Sequence, residues 1–261
     1  MQALRIAATG MAAQELNVEV ISHNIANMRT TGFKKHRAEF QDLLYQDMRR
    51  VGSTTSDAGT MVPTGLQVGM GVMTAATSRV MSQGSMTFTE KDLDVGIRGE
   101  GFFQIDLPDG RIGYTRDGSF ERDATGRLVT VDGYPVSGGI TIPQNAESVT
   151  VSRTGQVQAQ VGNAVGTTDL GQIQLARFVN KAGLESIGEN LYLETGASGA
   201  PQTGAPGAEG YGTVLQGFLE DANVNAVAEI SDLITAQRAY EMNARVISAA
   251  DEMMSTTSNL R

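Results

Sequence analysis

The side chains that do most protein chemistry are scarce in this sequence. Its only histidines are His23 and His36, and it has no cysteine, so one chain cannot assemble a histidine-rich or thiolate metal site. Both histidines read as helix-surface or contact residues. The run Gly69-Met70-Gly71-Val72-Met73-Thr74 imitates a dinucleotide fingerprint. Thr74 stands where that fingerprint needs its third small residue, however, and no βαβ pattern surrounds it. No G-x-S-x-G elbow, Walker A loop or HExxH helix occurs. Carboxylates are plentiful, and a glycosidase needs only two of them at a suitable separation. Asp109, Asp117, Asp123 and Asp132 all fall at or beside turns, where Asp is favoured by local hydrogen bonds to the backbone. The sequence therefore points away from an enzyme: no catalytic, cofactor-binding or metal residue is assigned, and no cofactor is expected.

Composition narrows the partners. A net charge of −9 opposes nucleic acid as the main partner, because phosphate binding needs a concentrated positive field. Arg29, Lys34, Lys35 and Arg37 form a local exception within nine residues, either a contact patch or a solvated or intersubunit face. No run approaches the ~18 apolar residues of a membrane span. Near the N-terminus Arg5 stands alone and Gln14-Glu15 break the apolar run, so a Sec signal peptide is not expected. With 31 Gly, 8 Phe, 6 Tyr and no Trp, the chain is rich in turns and poor in large core anchors.

Helical periodicity is confined to the two ends. Leu4, Ala8, Met11, Val18, Ile21 and Ile25 keep to helical steps, with Glu15 interrupting the stripe, and predict a helix to about residue 27. Gly10 costs that helix roughly 1 kcal/mol relative to Ala, so it needs a partner. At the other end Ala226, Ile230, Leu233, Gln237, Tyr240, Ala244, Ile247, Asp251 and Met254 follow alternating steps of four and three, which is a heptad seam. Asn225 suits its N-cap, and Glu229 lies in the first turn, where negative charge favours the helix dipole. Two ordinary core helices remain the other reading of this periodicity.

Residues 66–215 carry hairpin punctuation at Asp109-Gly110, Asp117-Gly118, Thr125-Gly126, Asp132-Gly133 and Thr154-Gly155, with strand-like runs such as Phe102 to Leu107 and Ile173 to Phe178 between. Residues 195–212 are a low-complexity Gly, Ala and Pro stretch, read as a linker or surface loop. The expected fold class is α+β: N- and C-terminal helices pairing as a coiled-coil-like domain, with a mainly antiparallel β middle. The expected divisions are 1–44, an extended arm at 45–65, a β-rich outer domain at 66–215, and 216–261.

The segment from Ser22 to Phe40 makes the reading specific. An Asn-rich helix end followed by Thr-Gly-Phe-Lys, carried here by Asn24, Ala26, Asn27, Thr31, Gly32, Phe33 and Lys34, resembles the signature of flagellar rod and hook proteins. His23, Met28 and Arg29 depart from that pattern. Residues 63–72, 93–136, 171–195 and 223–247 are similar to segments of the distal rod members of that family, so the resemblance spans nearly the whole chain. The stretch from Tyr45 through Arg49 and Arg50 to Pro63 looks like a rod-type arm that hook members lack.

The resemblance implies a structural subunit of the bacterial flagellar distal rod, exported without signal cleavage and polymerised into a hollow helical drive shaft around the export channel. Leu4, Met11, Val18 and Ile25, with Ile230, Leu233, Tyr240, Ala244, Ile247 and Met254, would then be subunit-packing residues. Implied partners are copies of the chain, proximal rod proteins below, hook protein above, the P- and L-ring proteins around it, and the export apparatus and rod cap during assembly. The alternatives are a hook or proximal rod subunit of the same family, or a peptidoglycan-acting enzyme of the same organelle.

Overall fold

The computed structural model describes residues 2–49, 64–162 and 166–259. Of the expected arm, Arg50 and Pro63 lie outside the described residues. The architecture is α+β, with a helix at each end and mainly antiparallel strands between. The chain forms two compact units. One unites residues 1–25, 36–78 and 226–261, and the other residues 26–35 and 79–225. That division differs from the expected one: the strands near residues 66–78 group with the helices, and the turn after the first helix groups with the β unit.

In the helical unit, α1 (Gln2–Ala26) and α2 (Ala226–Asn259) run antiparallel. Two contacts fix the direction. A Cβ on Gly10 would lie 2.9 Å from Nδ2 of Asn243, and Asn24 Nδ2 donates to Glu229 Oε2 at 3.1 Å. Both pairs have the same index sum, 253, so residue i of α1 lies level with residue 253 − i of α2. The partner that Gly10 needs is thus α2, and the missing side chain at position 10 is the space that Asn243 occupies.

Within one chain the expected seam of α2 is only partly buried. Glu229, Ala236 and Ala250 are buried and Leu233, Ala244 and Ile247 half-buried, whereas Ile230 is 50% exposed, Tyr240 43% and Met254 46%. On α1, Ala7, Ala13, Ile21 and Asn24 are buried, while Leu4, Met11, Val18 and Ile25 are half-buried and Ala8 is exposed. The fully buried positions of α2 are thus small or polar, while its larger apolar side chains are half-buried or exposed. The strand His36–Asp42 pairs with Val72–Arg79, and Tyr45–Arg49 pairs antiparallel with Leu66–Gly69, so the described start of the arm is a strand whose residues are all exposed.

The β unit is organised around a six-stranded antiparallel sheet in the order Glu185–Gly188, Leu191–Leu193, Ile112–Thr115, Phe102–Asp106, Leu175–Arg177, Gln202–Gly204. Strand alternation sorts its side chains. Phe103 and Ile105 enter a core with Ile97, Phe120, Ile142, Ile173 and Val214, while Phe102 joins Tyr114, Phe178, Leu184 and Tyr192 in a second cluster. Four of the five hairpin signals fall at turns: Gly110 N–H donates to Leu107 O, Gly126 N–H to Asp123 O, Gly133 N–H to Thr130 O, and Gly155 N–H to Ser152 O, whereas Asp117-Gly118 lies between strands of different sheets.

Residues 195–212 differ from a plain loop. They contribute the edge strand Gln202–Gly204, and within them Ser198 and Pro206 are buried and Tyr211 packs on the core. Ladder hydrogen bonds come from the backbone, so a stretch of small side chains still joins a sheet edge.

Candidate functional site

The signature segment leaves α1 at Ala26 and turns at once, with Thr30 N–H donating to Asn27 O and Phe33 N–H to Thr30 O. Gly32 holds φ at +68°, and a Cβ there would lie 2.8 Å from the backbone nitrogen of Asp117. Both the left-handed backbone and the close approach therefore demand glycine. Its N–H donates to Glu220 O at 2.7 Å.

This turn delivers Lys34 into the interior of the β unit. Lys34 Nζ donates to Glu220 Oε1 at 2.5 Å and to Ser82 O at 2.9 Å, with its side chain 1% exposed. Arg116 reaches the other carboxylate oxygen, Nη1 to Oε2 at 3.3 Å, donates Nη2 to Gly99 O at 2.8 Å, and lies 5.3 Å from the Phe102 ring centroid. Gly84 N–H adds a further bond to Glu220 Oε1 at 2.9 Å. One buried carboxylate thus serves two buried cations. Burial pulls the Lys34 ammonium below its ordinary value, Glu220 opposes that shift, and Arg116 adds to it. Burial also lowers Arg116, against Glu220 and Glu100.

Asn223 closes the same junction. Its Oδ1 accepts from Lys35 N–H at 2.7 Å, and its Nδ2 donates to Val80 O at 2.7 Å and to Ser82 O at 3.1 Å. The basic cluster of the sequence is consequently split: Lys34 is internal, while Arg37 pairs with Glu39 on the surface at 3.0 Å.

In the helical unit the signature residue Asn24 is 1% exposed. It accepts from His36 N–H and donates to His36 O, both at 2.8 Å, besides its bond to Glu229. The His23 and His36 rings meet edge to face with centroids 5.2 Å apart. Farther along, Glu15, Val18 and Glu19 of α1 and Gln237, Tyr240 and Glu241 of α2 line an open groove of about 520 Å³.

Sequence reasoning singled out Asn24, Gly32 and Lys34 but missed Glu220, Arg116 and Asn223, and it assigned Glu229 to the helix dipole alone. A lone Glu within Phe218–Glu220 carries no local signal, since its meaning depends on cations far away in sequence. None of these arrangements pairs a nucleophile with a base. Among the described residues no three His, Asp or Glu side chains are placed to hold a metal, and no helix is long and apolar enough to cross a membrane.

Three family patterns fall on this framework. Residues 4–34 match the flagella basal body rod protein family, 96–159 the D1 domain of flagellar hook protein FlgE/F/G, and 215–260 the C-terminal region of flagellar basal body rod FlgEFG protein. Over its full length the chain is 57% identical to a flagellar basal-body rod protein FlgG of Caulobacter vibrioides, covering all of both chains. The chain belongs to the flagellar basal-body rod protein family. It is also 53% identical to the FlgG of Agrobacterium fabrum, over 99% of this chain and 98% of that one. With the FlgG of Bacillus subtilis it shares 38% identity over 97% of this chain and 96% of the relative. Seen against the family patterns, Lys34, Arg116 and Glu220 each come from a different matched region, so the buried charge cluster ties all three together.

Proposed function

We propose that this chain is a structural subunit of the bacterial flagellar rod, in its distal segment, polymerising into a hollow helical shaft that transmits torque to the hook and surrounds the export channel. Full-length similarity to basal-body rod proteins carries the reading. A second feature supports it: α2 leaves Ile230, Ile234, Tyr240, Met242, Val246 and Met254 at least 43% exposed, a large apolar surface for one helix. In this reading those residues, with the half-buried Leu4, Met11, Val18, Ile25, Leu233, Ala244 and Ile247, pack between subunits as well as within them. The α1–α2 pair forms the coiled-coil-like inner layer of the polymer. Copies of the chain are the principal partner, with proximal rod proteins, hook protein and the ring proteins at the ends and sides of the polymer. The role is mechanical rather than catalytic.

Ile230→Asp combined with Ile234→Asp tests the assignment. Both side chains are exposed, so the isolated subunit should keep its stability within about 0.5 kcal/mol. Charges buried in a subunit contact cost several kcal/mol. Cells making only this variant should therefore export it and build no rods, and normal motility would refute the reading.

A further inference from the structure

The groove between α1 and α2 is rimmed by acid. Glu15, Glu19 and Glu241 are exposed around Val18 and Tyr240, with no basic side chain in the lining. Among the described residues none of the three carboxylates forms an ion pair. Glu15, which breaks the apolar stripe of α1, thus sits where it sets the groove's charge.

The outward flank of α2 carries the complement. Ile234, Arg238, Met242, Arg245 and Val246 follow one another at helical spacing and are all exposed, and neither arginine forms an ion pair among the described residues. The spacings along the helix axis agree as well. In the antiparallel register Glu241 lies level with position 12 of α1, seven residues from Glu19, which is about 10 Å along the axis at 1.5 Å per residue. Arg238 and Arg245 are also seven residues apart, hence separated by about 10 Å.

We infer that the groove receives the Arg238–Arg245 flank of α2 from a second copy of this chain, Met242 entering over Val18 and Tyr240 while the arginines meet the acidic rim. This rests on the reading of the chain as a polymer subunit and names one contact within that polymer. Groove and flank adjoin on α2, Glu241 lying three residues from Arg238 and four from Arg245, but they are not the same patch, so the contact joins two unlike patches of successive copies. Such a heterologous contact propagates instead of closing.

Charge reversal on the full chain tests the pairing. One variant carries Arg238→Glu and Arg245→Glu, a second Glu15→Arg, Glu19→Arg and Glu241→Arg, and a third all five substitutions. Every substituted side chain is exposed, so thermal unfolding of the purified subunits should stay near wild type. Basal bodies are isolated from cells making each chain alone, and completed rods are counted by electron microscopy. Each single reversal should lower the count by more than about tenfold, since like charges then face each other, and the five-fold variant should restore it. Wild-type counts in either single reversal, or no rescue in the combined chain, would overturn the pairing while leaving the subunit reading intact. Loss with the groove reversal but not with the flank reversal would assign the groove to a basic segment of a different protein, which also overturns it. Absence of the wild-type chain from rods by mass spectrometry would instead defeat the subunit reading itself.

Discussion

Lys34 Nζ and Glu220 Oε1 stand 2.5 Å apart across 186 residues of sequence, and both side chains are almost wholly buried. Arg116 shares the same carboxylate, so the three charges do not contribute equally.

Removing the acid leaves two buried cations facing each other, whereas removing either cation leaves a charge pair. Breaking a buried pair from one side costs about 3–5 kcal/mol. Glu220→Gln should reach or exceed that range, while Lys34→Met and Arg116→Met should each cost about 1–3 kcal/mol. Urea unfolding of the four chains gives the ranking, and a Glu220→Gln cost below that of Lys34→Met would contradict the shared-carboxylate account.

The lowered Lys34 value gives a pH dependence with a defined sign. Folding weakens proton binding at Lys34, so the unfolded chain binds more protons between the depressed folded value and the ordinary 10.5. The Lys34 contribution is therefore present above 10.5 and is lost as pH falls through the folded value. Tyr114, pushed up to about 12 chiefly by burial and then by Glu194, acts in the opposite direction at higher pH, so the comparison must be differential. Stability of wild type minus that of Lys34→Met, measured from neutral pH to 10, should rise with pH. A flat or falling difference would argue against the desolvated ammonium.

Gly32→Ala meets two obstacles, a φ of +68° and a backbone nitrogen 2.8 Å from the new Cβ. Left-handed backbone alone costs an L-residue about 1–2 kcal/mol. A total loss of more than about 2 kcal/mol is expected, since backbone contacts relax less readily than side chains. Thermal unfolding midpoints of the two chains provide the check, and an unchanged midpoint would be incompatible with this turn geometry.

The arm reading yields a mechanical prediction. Arg49 stands opposite Leu66 in the strand pair, so deleting residues 50–63 joins Arg49 to Leu66 through Thr64-Gly65, a two-residue hairpin connection. If the arm reaches a neighbouring subunit, as its absence from hook members suggests, the shortened chain should be exported and should polymerise, but into rods more flexible or curved than wild type. Straight rods in electron micrographs of the deletion strain would remove the coupling role.

Features written in local spacing were legible before any coordinates. The terminal helices and four of the five Asp-Gly and Thr-Gly turns depend on neighbours a few residues away, and these appear where expected. Within one chain the heptad seam on α2 is only partly buried, for a physical reason. A search for large apolar residues finds Ile230 and Met254, whereas one chain buries Ala236, Ala250 and the Asn24–Glu229 hydrogen bond. Polarity disguises a buried contact when its partner lies 205 residues away. For the same reason Arg116 and Glu220 gave no sign of themselves, while the low-complexity stretch concealed a sheet edge made by backbone alone at Gln202–Gly204.

The sequence span of the charge cluster also sets an order of events. A chain emerging from its N-terminus presents Lys34 first and Arg116 next, and only after about four fifths of its length does Glu220 arrive to neutralise them. Until then, closing the β unit would bury two positive charges without the carboxylate that bonds to both, so a fragment ending before residue 220 has a reason to stay open. On this argument the acid is a late-arriving latch, whose position in the sequence would couple compaction to near-completion of the polypeptide.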